Sequence, residues 1–352
     1  MNIGFFGNTF VKPVIDLLEE NGHYILHNKF SNNLDIVICE SHFHMYNFYK
    51  FVKRTNWKRI KLINIILDIP PWRLENEFKL NHISYQIKQH YYHYTNKYQF
   101  LNHYLQKLKN NKRNNYFTSI LSRLINKTPD NFYLNKIFYQ NNYRNFLKKS
   151  SLNLSISNFT EECVKKFLGI NSKIWYPAVN SQVLLNIPKS KDILYDCINI
   201  SRISKNKRQE ILVKAANNLR LKIAVIGRYV DKNIKLDCPS YYVEKYRDLM
   251  EILNQVRFYV DPSEFEGFGL TPVEAAFLNK PSIVSNTYVH REILGDYPLY
   301  FETNNVDDLI KKMRMILNGE YTSNKKSIEL IKKKYSLNAA KNRLMSYIES
   351  II

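Results

Sequence analysis

The sequence predicts an α/β protein of two Rossmann-like, doubly wound domains facing each other across a cleft. Short apolar runs alternate with amphipathic helical patterns, as βα units around parallel sheets require. A polar Lys/Ser stretch after Pro188 interrupts the series, which then restarts. A chain of 352 residues is long enough for two cores of ordinary size. The expected division is an N-terminal domain over 1–187, a C-terminal domain over 188–335 and a closing helix over 336–352.

In the first domain, Met1 to Gly7 reads as a strand and Val11 to Glu20 as a helix stopped by Asn21-Gly22. Asp35–Cys39 (DIVIC) and Leu62–Leu67 (LINIIL) read as buried strands. Leu152–Ile156 leads into a helix with Thr160 as its expected N-cap and Glu161 and Glu162 in the first turn. A strand at Lys173–Tyr176 ends at Pro177. In the second domain, strands are expected at Cys197–Ile200, Lys222–Ile226, Arg257–Val260 and Ser282–Ser285. Helices are expected at Arg208–Leu219, near Arg247–Gln255 and from Pro272, with further helices at the C-terminus. Ligands of such folds sit beyond the carboxyl ends of the strands.

Residues 76–150 break this series. They hold 13 Lys/Arg against two acids, Glu77 and Asp130, together with 16 Phe/Tyr. Tyr91, Tyr94, Tyr98 and Leu101 fall at helical spacing. The segment is too aromatic for a disordered linker and reads as a helical insertion.

Hydrophobic content of 45% and charged content of 24% fit a soluble globular protein. No run approaches the roughly 20 apolar residues of a membrane-spanning helix. The start MNIGFFGN lacks the basic region of a signal peptide. Cys39, Cys163, Cys197 and Cys238 are scattered without a CxxC pair, against a disulfide framework or structural zinc and for a reducing compartment. A cytoplasmic location is expected, with attachment to the inner membrane face if the basic insertion docks on anionic lipid. The net charge of +21 would attract polyanions, yet Asn, Lys, Ile and Tyr are over-used together, as in AT-rich coding. Charge alone selects no ligand.

The densest signal is Asp261–Asn286, DPSEFEGFGLTPVEAAFLNKPSIVSN. A strand enters the loop Glu264 to Gly269, and a helix opens near Thr271-Pro272. Gly267 and Gly269 allow backbone N–H groups to approach an anion, and the helix start adds its positive end. Glu266 and Glu274 can both face the cleft. Each feature also has a structural reading, since Thr271-x-x-Glu274 is a capping box with Pro at the first helical position.

Ser263 to Ala275 resembles the phrase S-x-x-EGFGL-P-x-x-EA, which carries the Glu-x7-Glu motif of the retaining glycosyltransferase family 4, of GT-B architecture. Asn279-Lys280-Pro281, the strand Ser282–Ser285 and Glu292 within His290 to Gly295 agree with the family's flanks. The resemblance covers about Asn199 to Leu317 well and the first domain loosely. It implies that Glu266 contacts the transferred sugar and Glu274 the ribose hydroxyls. The segment Gly267, Phe268, Gly269, Leu270 and Thr271 would line sugar and diphosphate. In Asn199 to Arg208, Arg202 and Lys207 match the cations that hold the donor diphosphate, with Lys205 able to replace Lys207. The resemblance further implies neither metal nor cofactor beyond the nucleotide sugar, in keeping with the lack of an Asp-x-Asp motif. The same contacts would serve GDP-mannose or UDP-glucose, with a glycan or lipid-linked acceptor.

The first domain departs from the family pattern. Leu67, in Ile66-Leu67-Asp68-Ile69-Pro70-Pro71, stands where a His precedes the matching Asp68. His42 or His44 could enter the cleft instead. Gly7 and Asn8 resemble the family's loop near donor phosphate or acceptor. Two other readings compete: a nucleic-acid-binding protein using the basic aromatic segment, although no recognition module accompanies it, and a degenerate transferase kept for binding.

Overall fold

A computed structural model describes residues 1–7, 11–29, 31, 33–40, 59–67, 144, 146–188, 190, 192–230 and 233–352. Asn8, His42, His44, Asp68 and nearly all of the 76–150 segment, including Tyr91, Tyr94, Tyr98 and Leu101, lie outside the described residues.

Two six-stranded parallel sheets carry the fold. The first is built from β1 (Asn2–Phe6), β2 (Tyr24–His27), β3 (Ile36–Glu40), β4 (Lys61–Ile66), β5 (Leu152–Ser155) and β6 (Lys173–Ile174). Its spatial order is β2-β1-β3-β4-β5-β6. The second holds β7 (Tyr195–Ile200), β8 (Ile223–Ile226), β9 (Ser240–Tyr241), β10 (Val256–Asp261), β11 (Ser282–Ser285) and β12 (Leu299–Phe301). Its order, β12-β11-β10-β7-β8-β9, is the doubly wound arrangement in which winding reverses between β7 and β10. In the first sheet the reversal lies between β1 and β3.

The strands are apolar runs because helices cover both faces of each sheet. Along β10, Phe258 and Val260 join one buried cluster with Leu212 and Leu309, while Tyr259 faces another with Val273 and Ala275. The first helix, α1 (Lys12–Glu20), starts with Pro13 in its opening turn. The helix after β5, α2 (Asn158–Leu168), is capped by Ser157, whose side chain accepts the Thr160 N–H. The expected Thr160 cap is therefore corrected by three residues. Ser157 has the extended backbone an N-cap needs, whereas Thr160 already lies within the first turn.

After α3 (Ser181–Leu185) the chain enters the second domain, with α4 (Gln209–Leu219), α5 (Tyr246–Asn254) and α6 (Leu270–Phe277). Helix α6 starts at Leu270 rather than Pro272, because Gly269 takes a left-handed φ of 82° and turns the chain there. Helices α7 (Tyr288–Leu294), α8 (Val306–Leu317), α9 (Lys325–Tyr335) and α10 (Leu337–Glu349) follow. The last returns to the first domain: it packs on α1, and the buried Trp175 donates its indole N–H to the Ala340 carbonyl at 3.0 Å. Among the described residues no helix is long and apolar enough to cross a membrane.

Candidate active site

The reversal between β7 and β10 leaves a crevice at their carboxyl ends, and the loops that fill it are the two the sequence singles out. From β7 the chain passes Arg202 and makes a tight turn over Lys205–Lys207. From β10 it runs through Ser263 and Phe265 to Gly269. The Glu264 N–H donates to the Asn206 carbonyl at 3.0 Å, and Thr271 donates its hydroxyl to the Ile200 carbonyl at 3.2 Å. Asn199 donates to the Val260 carbonyl at 3.0 Å, while Gln209 donates to Ser201 and to the Arg202 carbonyl at 2.8 and 2.9 Å. Together these bonds brace the two loops as one unit.

At its centre the Lys207 ammonium is ion-paired with the Glu266 carboxylate, both side chains nearly buried at 11% and 13% exposure. Asp261 lies behind them. It accepts from the Ser263 N–H at 3.0 Å and from the Ser263 hydroxyl. Burial would raise the Asp261 pKa, but His290, Lys207 and the Ser263 hydrogen bonds outweigh it and hold the carboxyl below its usual range. His290 is fully buried under Gly269, with Nδ1 against the Ser285 carbonyl at 2.8 Å. Its Nε2 has no hydrogen-bond partner among the described residues. The ligand atoms of Asp261, Glu266 and His290 lie within 4.8 Å of one another, close enough to share a cation. The Lys207 ammonium supplies one beside Glu266.

Glu274 lies on α6, almost buried, and accepts the Tyr246 hydroxyl at 2.9 Å. Burial raises its pKa to about 7, the Tyr246 hydrogen bond opposing that rise. No capping box forms: Gly269 is the N-cap, no side chain caps the helix, and Thr271 turns to Ile200 instead. Glu274 is thus spared for another task. Burial pushes the Tyr259 hydroxyl pKa upward, and the charges of Asp261, Glu266 and Glu274 add to that rise.

The remaining expected residues fall in three places. Arg202 is exposed at the rim, and its side chain has no hydrogen bond or ion pair with a described residue. Phe268 points away into an aromatic cluster, 5.3 Å from Tyr335 and 6.5 Å from Tyr176, so only its backbone can line the crevice. Gly267 abuts the first domain: a Cβ there would stand 3.0 Å from the Leu67 carbonyl and 3.3 Å from Ile156. Gly7, across the cleft at the end of β1, exchanges 3.3 Å hydrogen bonds with the Asn28 side chain through both its N–H and its carbonyl. A Cβ on Gly7 would meet the Glu40 carboxyl at 2.4 Å. Sequence reasoning gave no role to Asp261, His290 or Tyr246. Asp261 and His290 stand in or beside the motif phrase, but only the wound sheet brings them together.

Comparison with known proteins agrees with this geometry. Residues 185–336 match the family described as Glycosyl transferases group 1. The second domain is thus similar to glycosyltransferase domains. The O-antigen chain mannosyltransferase RfbU of Salmonella typhimurium is 28% identical over 189 residues, 48% of this chain and 53% of that protein. The chain thus spans about half the length of the curated relatives it matches. Among solved structures, sucrose-phosphate synthase from Thermosynechococcus elongatus aligns with a TM-score of 0.67 at 9% identity, covering 100% of this chain and 99% of that one. Anabaena HepE in complex with UDP-glucose aligns at 0.63 and 11% identity, covering 99% and 100%. At these identities the likeness establishes the fold, the two-domain GT-B arrangement.

Proposed function

We propose that this chain is a retaining hexosyltransferase of glycosyltransferase family 4 that moves a mannose- or glucose-type sugar from a nucleoside diphosphate to a glycan or lipid-linked acceptor. The observation that carries the reading is the buried Lys207–Glu266 pair at the strand reversal, beside the Gly267–Gly269 turn, with Glu274 held free of capping. Glu274 would accept from the ribose hydroxyls, and Glu266 from the transferred sugar. Arg202 and Lys207 would neutralise the departing diphosphate, aided by amides of the segment Gly267, Phe268, Gly269, Leu270 and Thr271. With that positive charge in place the reaction needs no metal. The acceptor hydroxyl would attack on the leaving-group side and give its proton to the departing phosphate, so that configuration is kept.

The Salmonella relative is a mannosyltransferase and the Anabaena structure holds UDP-glucose, so GDP-mannose and UDP-glucose are the first donors to try. Turnover of a nucleotide-sugar panel with and without EDTA tests the proposal. Binding without turnover would leave only a degenerate binding protein, and loss of turnover in EDTA would overturn the metal-free mechanism. The acceptor is assigned to the first domain (1–187), across the cleft from the donor domain (188–335). The basic, aromatic composition of 76–150 suits docking on an anionic membrane surface, where each Lys or Arg adds about 1 kcal/mol. Co-sedimentation with anionic but not neutral vesicles, weakened by salt, is the expected result.

A further inference from the structure

Glu292, on α7 of the second domain, reaches across and caps a helix of the first. Its carboxylate accepts the Asn158 N–H at 2.7 Å and the Phe159 N–H at 3.4 Å. These two amides open α2. The next two are satisfied locally, Thr160 by the Ser157 hydroxyl at 3.1 Å and Glu161 by the Ser157 carbonyl at 3.0 Å. A helix start leaves four N–H groups without intrahelical partners and presents a positive end. Here the Ser157 hydroxyl serves Thr160, the Glu161 amide makes the helix's first internal bond, and a carboxylate from the other domain serves Asn158 and Phe159.

The same contact touches the loop that carries Glu266. The Phe159 ring packs between Phe265 and Tyr288, each 5.8 Å away between centroids. Phe265 immediately precedes Glu266, and Gly267 on its other side abuts Leu67 and Ile156 of the first domain. Glu266 therefore sits on a loop braced on both flanks by first-domain atoms, while its partner Lys207 belongs to the second domain.

We propose that Glu292 is a positioning residue: by capping α2 across the cleft it holds the domains together and sets the Phe265–Gly267 loop where Glu266 faces an acceptor held by the first domain. This rests on the transferase reading given above. In Glu292→Ala the Asn158 and Phe159 amides lose their acceptor while Lys207, Arg202 and Glu274 stay in place. Hydrogen–deuterium exchange on the peptide holding residues 158 and 159 should then speed up by about tenfold. Turnover should fall by about tenfold, while the donor KM stays within roughly twofold. Glu292→Gln, whose side-chain carbonyl still accepts, should restore most of both.

A merely structural role would lower the melting temperature and leave kcat alone. If Glu292→Ala does not fold, Phe159→Leu tests the same coupling, with several-fold lower kcat at unchanged donor KM expected. Unchanged exchange in a folded Glu292→Ala chain, or unchanged kcat in whichever variant folds, would overturn the proposal. A wild-type chain that consumes no nucleotide sugar, while Glu292→Ala still frees the two amides, would overturn the transferase reading and leave the interdomain cap standing.

Discussion

At the reversal of the first sheet, between β1 and β3, the Gly7 amide is held sideways by Asn28 and its α-carbon faces the Glu40 carboxylate. At the reversal of the second, between β7 and β10, a buried lysine, two carboxylates and a histidine converge under a glycine turn. The winding places a crevice at both points, and among the described residues opposed charges within reach of one another are seen at the second. Architecture therefore says where a ligand can sit, and the residues ending the strands say which side does the chemistry. In the proposed function the second side holds the phosphorylated donor.

Lys207→Met should blunt the contrast most. It leaves Glu266 and Asp261 without their nearest lysine in a buried site, which costs about 3–5 kcal/mol when one partner of a buried pair is removed. Turnover should fall by about 100-fold or more. A denaturant melt and a turnover assay check both, and a normal melt would mean that the pair is not buried in solution.

Arg202→Ala separates catalysis from folding. Because Arg202 is exposed and its side chain makes no hydrogen bond or ion pair with a described residue, the melting temperature should not move. Turnover should still fall by about 100-fold through lost stabilisation of the leaving diphosphate. Near-normal turnover would put the diphosphate elsewhere.

Glu274 makes a pH prediction. In its proposed role Glu274 meets the ribose as a carboxylate, so donor affinity should rise as pH climbs through about 7, the value to which burial pushes this group. Glu274→Gln should lose that rise and about 1.5–3 kcal/mol of binding at high pH. The stability effect has the opposite sign. The folded protein holds the Glu274 proton up to about 7 and the unfolded chain only to near 4.5, so this group's contribution to stability falls as pH rises between them. Titration calorimetry and melting curves at pH 6 and pH 8, beside the Gln variant, read both slopes.

The smallest effect is expected on the other side of the cleft. Gly7→Ala would push a methyl into the Glu40 carboxyl and should cost about 1–3 kcal/mol of stability, typical of overpacking. Donor affinity should stay unchanged. A large loss of donor binding would move the first crevice from scaffold to donor site and undo the contrast.

Much of this was legible in the chain alone. The strands at Ile36–Glu40, Lys61–Ile66, Val256–Asp261 and Ser282–Ser285 follow from apolar runs, since a strand buried on both faces must be apolar throughout. The short edge strands Tyr24–His27 and Ser240–Tyr241 leave no such trace, because an edge is only partly covered and tolerates polar residues. The Ser263–Ala275 phrase reads directly because its parts are neighbours in sequence. What only the tertiary structure decided is every relation between distant residues. Lys207 meets Glu266 across 59 positions, Tyr246 donates to Glu274 across 28, and Glu292 caps α2 across 134. Periodicity and capping rules describe a residue's own turn or strand, whereas these contacts exist because parallel winding brings remote strand ends to one crevice.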